Sequence, residues 1–219
     1  SMPKLNVWLS RFVLVSAFAL TGYLAWDYQQ RLFEDKGRLV VSQSSVVPGA
    51  VEFSWRSAVE VPMAKRFYEA FQKWRNTSDT IVINLHSPGG SLREGREVIA
   101  VIEFMKKTHR VFTYVGARRS CLSMCVPIFL HGDERLAAAN SRWMFHEPSN
   151  VDFFTEEKIK VPEFERQQMI AKYVDRYFVN SSINPAWLKG LLQKWQGKDI
   201  WFTGQQLVDQ RAGVISRLQ

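Results

Sequence analysis

Three short segments carry residue types that suit nucleophilic chemistry. The first, Asn84-Leu85-His86-Ser87-Pro88-Gly89-Gly90-Ser91, follows the β-branched run Ile81–Leu85. Its paired glycines let backbone N–H groups face an anion with no Cβ in the way, as an oxyanion hole requires. The second, Ser120-Cys121-Leu122-Ser123-Met124-Cys125, opens an apolar stretch that reads as a helix, Cys121–His131. A serine at a helix N-terminus gains from the positive end of the dipole, which also favours a developing oxyanion. The third, Asn140-Ser141-Arg142-Trp143-Met144-Phe145-His146-Glu147-Pro148, places a histidine at the end of a short strand. Taken singly, Ser123 is a small residue packing in a core and His146 a satisfied buried histidine. Their joint occurrence after the glycine pair favours a serine nucleophile with a histidine base.

Other chemistries find little support. The chain has no P-loop, no G-x-G-x-x-G and no G-x-S-x-G. Its four histidines, His86, His109, His131 and His146, are dispersed, and His146-Glu147-Pro148 does not continue as H-E-x-x-H. No metal and no cofactor is therefore expected. Cys121 and Cys125, the two cysteines, fit neither a zinc spacing nor a disulfide framework. Four apart on a helix they share a face, where free cysteines pack as small apolar residues; a local disulfide that gates Ser123 is the lesser alternative.

The elements that must position these segments alternate between strand and helix. Strands are expected at Leu39–Val41, Val51–Ser54, Ile81–Leu85, Val111–Val115 and Trp143–Phe145, from β-branched or aromatic runs bounded by turn residues. Helices are expected at Pro62–Trp74, Leu92–Met105, Glu163–Phe178, Pro185–Trp195 and Gly204–Gln210, from apolar residues three and four apart. Alternation with short connections is the pattern of an α/β layer protein. At 219 residues, 46% of them hydrophobic, the chain supports one well-buried domain.

The N-terminus is different in kind. Ser1 before Met2 reads as an expression scar on a tail spanning 1–6. Val7–Trp26 is apolar apart from five residues and matches a bilayer core in length, which suggests a transmembrane or signal-anchor helix, with Tyr23, Trp26 and Tyr28 at the far interface. A linker over 27–38 then leads to a domain over 39–219. The net charge of +8 is scattered in short clusters without a nucleic-acid motif, so it belongs to a solvated or membrane-facing surface rather than to nucleic-acid binding.

The three segments together resemble the proteolytic subunit of the Clp protease, whose family carries a Ser-Pro-Gly-Gly turn, an Ala-Ser-Met nucleophile segment and an Asn-Ser-Arg-x-Met-x-His-x-Pro base segment. The last is present here in full, and the resemblance spans roughly residues 51–215. It implies the crotonase-like spiral of repeated ββα units, preceded here by the one N-terminal helix. It implies Ser123 as nucleophile, His146 as general base and, from Lys198-Asp199-Ile200-Trp201-Phe202-Thr203-Gly204, Asp199 as the third member, although Asp175 and Asp209 also lie downstream of His146. The Gly90 and Met124 amides become the oxyanion donors, with Gly89, Ser91 and Arg119 near the substrate. Arg118 and Arg119 are solvent-facing on this reading, or select carboxylates in a substrate.

The resemblance further implies a peptidase acting through an acyl-enzyme on peptide or protein substrates, in a homo-oligomer whose handle occupies 151–182. Cys-x-Ser-x-Cys around the nucleophile is more similar to a periplasmic, membrane-anchored group of such proteins. That favours a single-pass protein of a bacterial inner membrane with its domain in the periplasm, and the membrane anchor argues against a partner ring that feeds it unfolded chains using ATP. A catalytically silent, membrane-tethered scaffold is the alternative. An acyl-CoA enzyme of the same fold has no need of a nucleophilic serine.

Overall fold

The computed structural model describes residues 3–36, 38–148 and 162–219. Ser1, expected as an expression scar, Met2 and the first part of the expected handle, residues 151–161, lie outside the described residues.

Helix α1 (Pro3–Arg31) carries the apolar stretch Asn6–Trp26, 21 residues of mean hydropathy 1.5, none of it buried against the rest of the protein. At 1.5 Å per residue it is about 30 Å long, and by length and composition it is a candidate membrane span. A signal sequence has the same features. Much of the stretch expected as a linker over 27–38 is regular structure: α1 continues to Arg31 and strand β1 (Leu32–Lys36) pairs antiparallel with β2 (Leu39–Gln43). Phe33 on β1 stacks on Trp74 at 5.0 Å, so the chain leaving the helix is fastened to the domain.

The domain is built on a seven-stranded sheet. It contains β1, β2, β3 (Val51–Trp55), β4 (Thr80–Leu85), β5 (Arg110–Val115), β7 (Glu134–Ala137) and β10 (Arg217–Leu218), in that spatial order. From β3 onward every pairing is parallel, and the connections run through helices α2 (Met63–Trp74) and α3 (Leu92–Lys106). Central parallel strands are covered on both faces, which explains the β-branched run Ile81-Val82-Ile83, all fully buried. Met63, Phe67, Ala70 and Phe71 form the buried stripe of α2, at helical spacing. Phe67 meets Phe53 and Trp55 at centroid distances of 6.4 and 6.0 Å.

A second, smaller sheet stands beside the first: β6 (Ser120–Leu122), β8 (Arg142–Phe145) and β9 (Ile200–Thr203). The expected helix Cys121–His131 is corrected here. Its first residues form β6, held between β8 and the Ser87 segment, and only Cys125–Phe129 is helical (α4). An all-apolar run has no period that separates strand from helix, and the unpaired backbone of two neighbours decides it. The expected packing of free cysteines is corrected too. The turn after β6 brings the Cys121 and Cys125 Cα atoms to 5.2 Å, and their sulfurs are bonded. The helix expected over Glu163–Phe178 is α-helical as Glu163–Val174 (α5) and widens into a π-helical turn, Asp175–Val179. Helix α6 (Pro185–Trp195) matches its expected bounds, and α7 (Gly204–Asp209) stops one residue short of them.

Candidate active site

The small sheet brings the chemistry-bearing residues to one edge. Parallel pairing of β6 with β8 sets Leu122 beside Met144, and the Ser123 amide then donates to the Met144 carbonyl at 2.9 Å. Antiparallel pairing of β8 with β9 sets Phe145 opposite Ile200, so one further step along this register puts His146 opposite Asp199. Ser123 follows β6, His146 follows β8 and Asp199 precedes β9. Three residues far apart in sequence thus meet through strand register alone.

Their side chains form a chain of contacts. Ser123 Oγ lies 2.6 Å from His146 Nε2, and Nδ1 of the same ring lies 3.3 Å from Asp199 Oδ1. The serine and the imidazole are half-buried, whereas the Asp199 side chain is 50% exposed. Asp175, which lines a cavity beside α5, and Asp209, whose carboxylate accepts from Gln205, are engaged elsewhere.

Ser123 is not at a helix N-terminus, as the sequence suggests. It sits at φ +53°, in the left-handed region, at the corner between β6 and α4. A non-glycine residue there is uncommon and usually held by its surroundings. Two features hold it here: the Ser123 amide bond to β8, and the disulfide that closes the loop from Cys121 to Cys125 with both cysteines fully buried.

The glycine pair packs directly against this corner. Ser87 exchanges backbone hydrogen bonds with β6 on both sides: its amide donates to the Ser120 carbonyl at 2.8 Å, and it accepts from the Leu122 amide at 3.1 Å. Gly89 adopts φ +91°, and a Cβ there would lie 2.7 Å from both Ser123 Cβ and the Leu122 oxygen. Gly90 adopts φ +152° and presses on the Val59 backbone. Only glycine permits both the angle and the approach. Among the described residues, neither the Gly90 nor the Met124 amide donates to a protein acceptor, so both remain available to an oxyanion.

Sequence reasoning misses several contributors. Gly95 on α3 makes room for the Met124 side chain: a Cβ there would meet Met124 Cγ at 2.6 Å. A glycine inside a helix costs about 1 kcal/mol relative to alanine, which is the signal that would have flagged it. Arg166 on α5 donates from Nη1 to both Glu147 oxygens, at 2.9 and 2.7 Å, tying that helix to the residue after the histidine. Leu92, Pro148 and Tyr173 join Pro88, Gly90, Ser123 and His146 in lining a cleft of about 220 Å3. Burial pushes the Tyr173 phenol well up, so it stays protonated and apolar in character.

Two other expected residues have different surroundings. Ser91 uses its hydroxyl to cap α3, accepting from the Glu94 amide at 3.1 Å, rather than facing the cleft. Arg119 is exposed at the opposite end of β6 from Ser123 and is not among the residues lining the cleft. Its charge acts on His86 instead. Burial, then the charges of Arg119 and Arg142, hold His86 below the ordinary imidazole range. His86 Nδ1 accepts the Ser120 amide at 3.0 Å, a bond that needs that nitrogen bare.

Comparisons with known proteins agree with this architecture. The profile of the Clp protease family matches residues 56–213. A solved structure of an Asn-to-Asp mutant of ClpP1 from Listeria monocytogenes is similar in fold, with a TM-score of 0.59 at 16% identity; the match covers 77% of this chain and 90% of that one. Among curated proteins, no sequence matches.

Proposed function

Because the chain belongs to the Clp protease family, we propose that it is a membrane-anchored serine peptidase that hydrolyses peptide bonds without ATP, using Ser123, His146 and Asp199. The observation that carries this reading is the pair of contacts on one imidazole, Ser123 Oγ at Nε2 and Asp199 Oδ1 at Nδ1.

In this mechanism Nδ1–H is donated to Asp199, which fixes the tautomer and leaves Nε2 as the acceptor of the Ser123 hydroxyl proton. Ser123 Oγ attacks the substrate carbonyl carbon while its proton passes to Nε2. The carbonyl oxygen becomes an oxyanion facing the Gly90 and Met124 amides. Collapse breaks the C–N bond, the amine leaves with the proton from Nε2, and an acyl-Ser123 ester remains. Water then adds with the same base, and the released acid restores Ser123. No metal or cofactor enters any step.

The apolar α1 supports anchoring, and the buried disulfide supports an oxidising compartment, in keeping with a periplasmic domain on a bacterial inner membrane. A domain tethered on that side has no ATP-driven feeding ring, so substrates are unstructured peptides or exposed tails. The protein works as a homo-oligomer and does not bind nucleic acid.

Incubating the full chain in detergent with a pooled peptide library, without ATP, tests the reading. New termini that appear with the wild type and not with Ser123→Ala support it. Termini that persist in the Ser123→Ala protein would remove Ser123 from the mechanism.

A further inference from the structure

Beside the Ser123 cleft lies a larger cavity of about 550 Å3. The two share three lining residues, Leu92, Pro148 and Tyr173, so the larger cavity adjoins the cleft that holds Ser123. What distinguishes the larger cavity is its charge. Arg96 from α3 and Lys172 and Arg176 from the α5 region all line it, against one carboxylate, Asp175. Among the described residues none of the three cations forms an ion pair.

Like charges gathered in one cavity repel each other. Lys172 and Arg176 are four residues apart along one helical stretch, where like charges repel. Arg96 adds a third positive charge from the facing helix. An anion placed among them relieves that repulsion and gains charge-assisted hydrogen bonds, with the arginines able to grip a carboxylate in two-pronged fashion. Met169, Tyr173 and Tyr177 give the same cavity an apolar lining, which suits the methylene stem of an acidic side chain.

We propose that Arg96, Lys172 and Arg176 form a specificity subsite that selects peptide substrates carrying an acidic residue near the scissile bond. The inference rests on the peptidase reading of Ser123 and deepens it by naming the substrate class. A cavity of this volume is roughly 10 Å across, and an extended chain advances about 3.4 Å per residue, so the acidic residue falls within about three positions of the cleaved bond. Arg118 and Arg119, the cations that the sequence offers for this task, are at the far end of β6 from the nucleophile.

The test uses the full chain in detergent and sets of peptides differing only by Glu, Gln or Lys at each position around a cleaved bond. The wild type is expected to cleave the best Glu peptide about tenfold faster than its Gln counterpart, a margin that shrinks as salt screens the exposed cations. The variant combining Arg96→Glu, Lys172→Glu and Arg176→Glu is expected to reverse the order and prefer Lys. A reversal cannot come from misfolding, which removes cleavage of every peptide alike. Equal rates for Glu and Gln peptides, in a wild type whose Ser123 reacts with a fluorophosphonate, would overturn the subsite and leave the peptidase reading intact. A preference that persists unchanged in the triple variant would likewise overturn it. A wild type that neither reacts nor cleaves would remove the peptidase reading, and the subsite with it.

Discussion

The two sheets of the domain divide its work. The seven-stranded sheet is regular: its strands from β3 to β10 are parallel and its central residues, Phe53, Ile81, Val82 and Ile83, are fully buried. The three-stranded sheet is short and irregular at its edge. It ends in a left-handed serine, a disulfide-closed corner, a glycine pair in positive φ and a half-exposed aspartate. The large sheet holds the fold through area removed from water, while the small one holds angles and distances. Substitutions in the first are therefore expected to appear as lost stability, and those in the second as lost chemistry in a protein that still folds.

The sharpest separation comes from Asp199→Asn. The amide keeps the size of the group but fails to hold the Nδ1–H tautomer, so kcat is expected to fall by about 10^3 to 10^4. Because the side chain is half exposed, the thermal midpoint should stay within a degree or two, about what a surface change gives. A large loss of stability here would mean that Asp199 holds β8 to β9 rather than serving the imidazole.

Phe53→Ala is the opposite case. Removing this fully buried ring from between β3 and α2 is expected to cost about 3 to 5 kcal/mol, read from denaturant midpoints. The surviving folded fraction should keep its Ser123 reactivity. Loss of reactivity in that fraction would show that the large sheet also sets the site geometry.

Replacing Cys121 and Cys125 together by serine reaches both regions at once. Closing so short a loop contributes about 2 kcal/mol by chain entropy. The larger expected effect is on the Ser123 corner, with a drop in reactivity that exceeds the stability change. Reductant on the wild type should reproduce it. Reactivity that survives the substitution would assign the corner to the Ser123–Met144 hydrogen bond alone.

The smallest effect is set by His86. Its folded pKa is depressed, so the neutral ring contributes stability that is complete above the unfolded value, about 6.5, and is lost as pH falls through the folded value. A thermal midpoint that declines below pH 6.5 in the wild type should decline less in His86→Asn, whose amide oxygen replaces Nδ1 as acceptor. Identical profiles would place the acid sensitivity elsewhere.

Much of this arrangement is legible in the amino-acid sequence because local signals and tertiary demands coincide. Helix α6 is readable to the residue: Asn184 caps it through its side chain and Pro185 occupies the first turn. Ser123, His146 and the glycine pair are readable because motif and strand end fall together. Strand β7 is not, since Glu-Arg-Leu-Ala has neither a strand period nor β-branching and is extended because β5 and β10 pair with it on either side. Strand β6 is hidden inside an apolar run, and with it the turn that joins the two cysteines. The cationic cavity is least legible of all, because Arg96 and Lys172 belong to helices that only the folded chain brings together.

The proposed mechanism depends most directly on the state of the Ser123 hydroxyl. A fluorophosphonate probe applied to the full chain in detergent, followed by peptide mapping of the adduct, reads it. We expect an adduct on Ser123 in the wild type, none in Ser123→Ala, and a rate lowered by several orders of magnitude in His146→Ala, since the imidazole 2.6 Å away is the proposed base. A folded wild type that takes up no probe, or one that reacts as fast without His146, would contradict it.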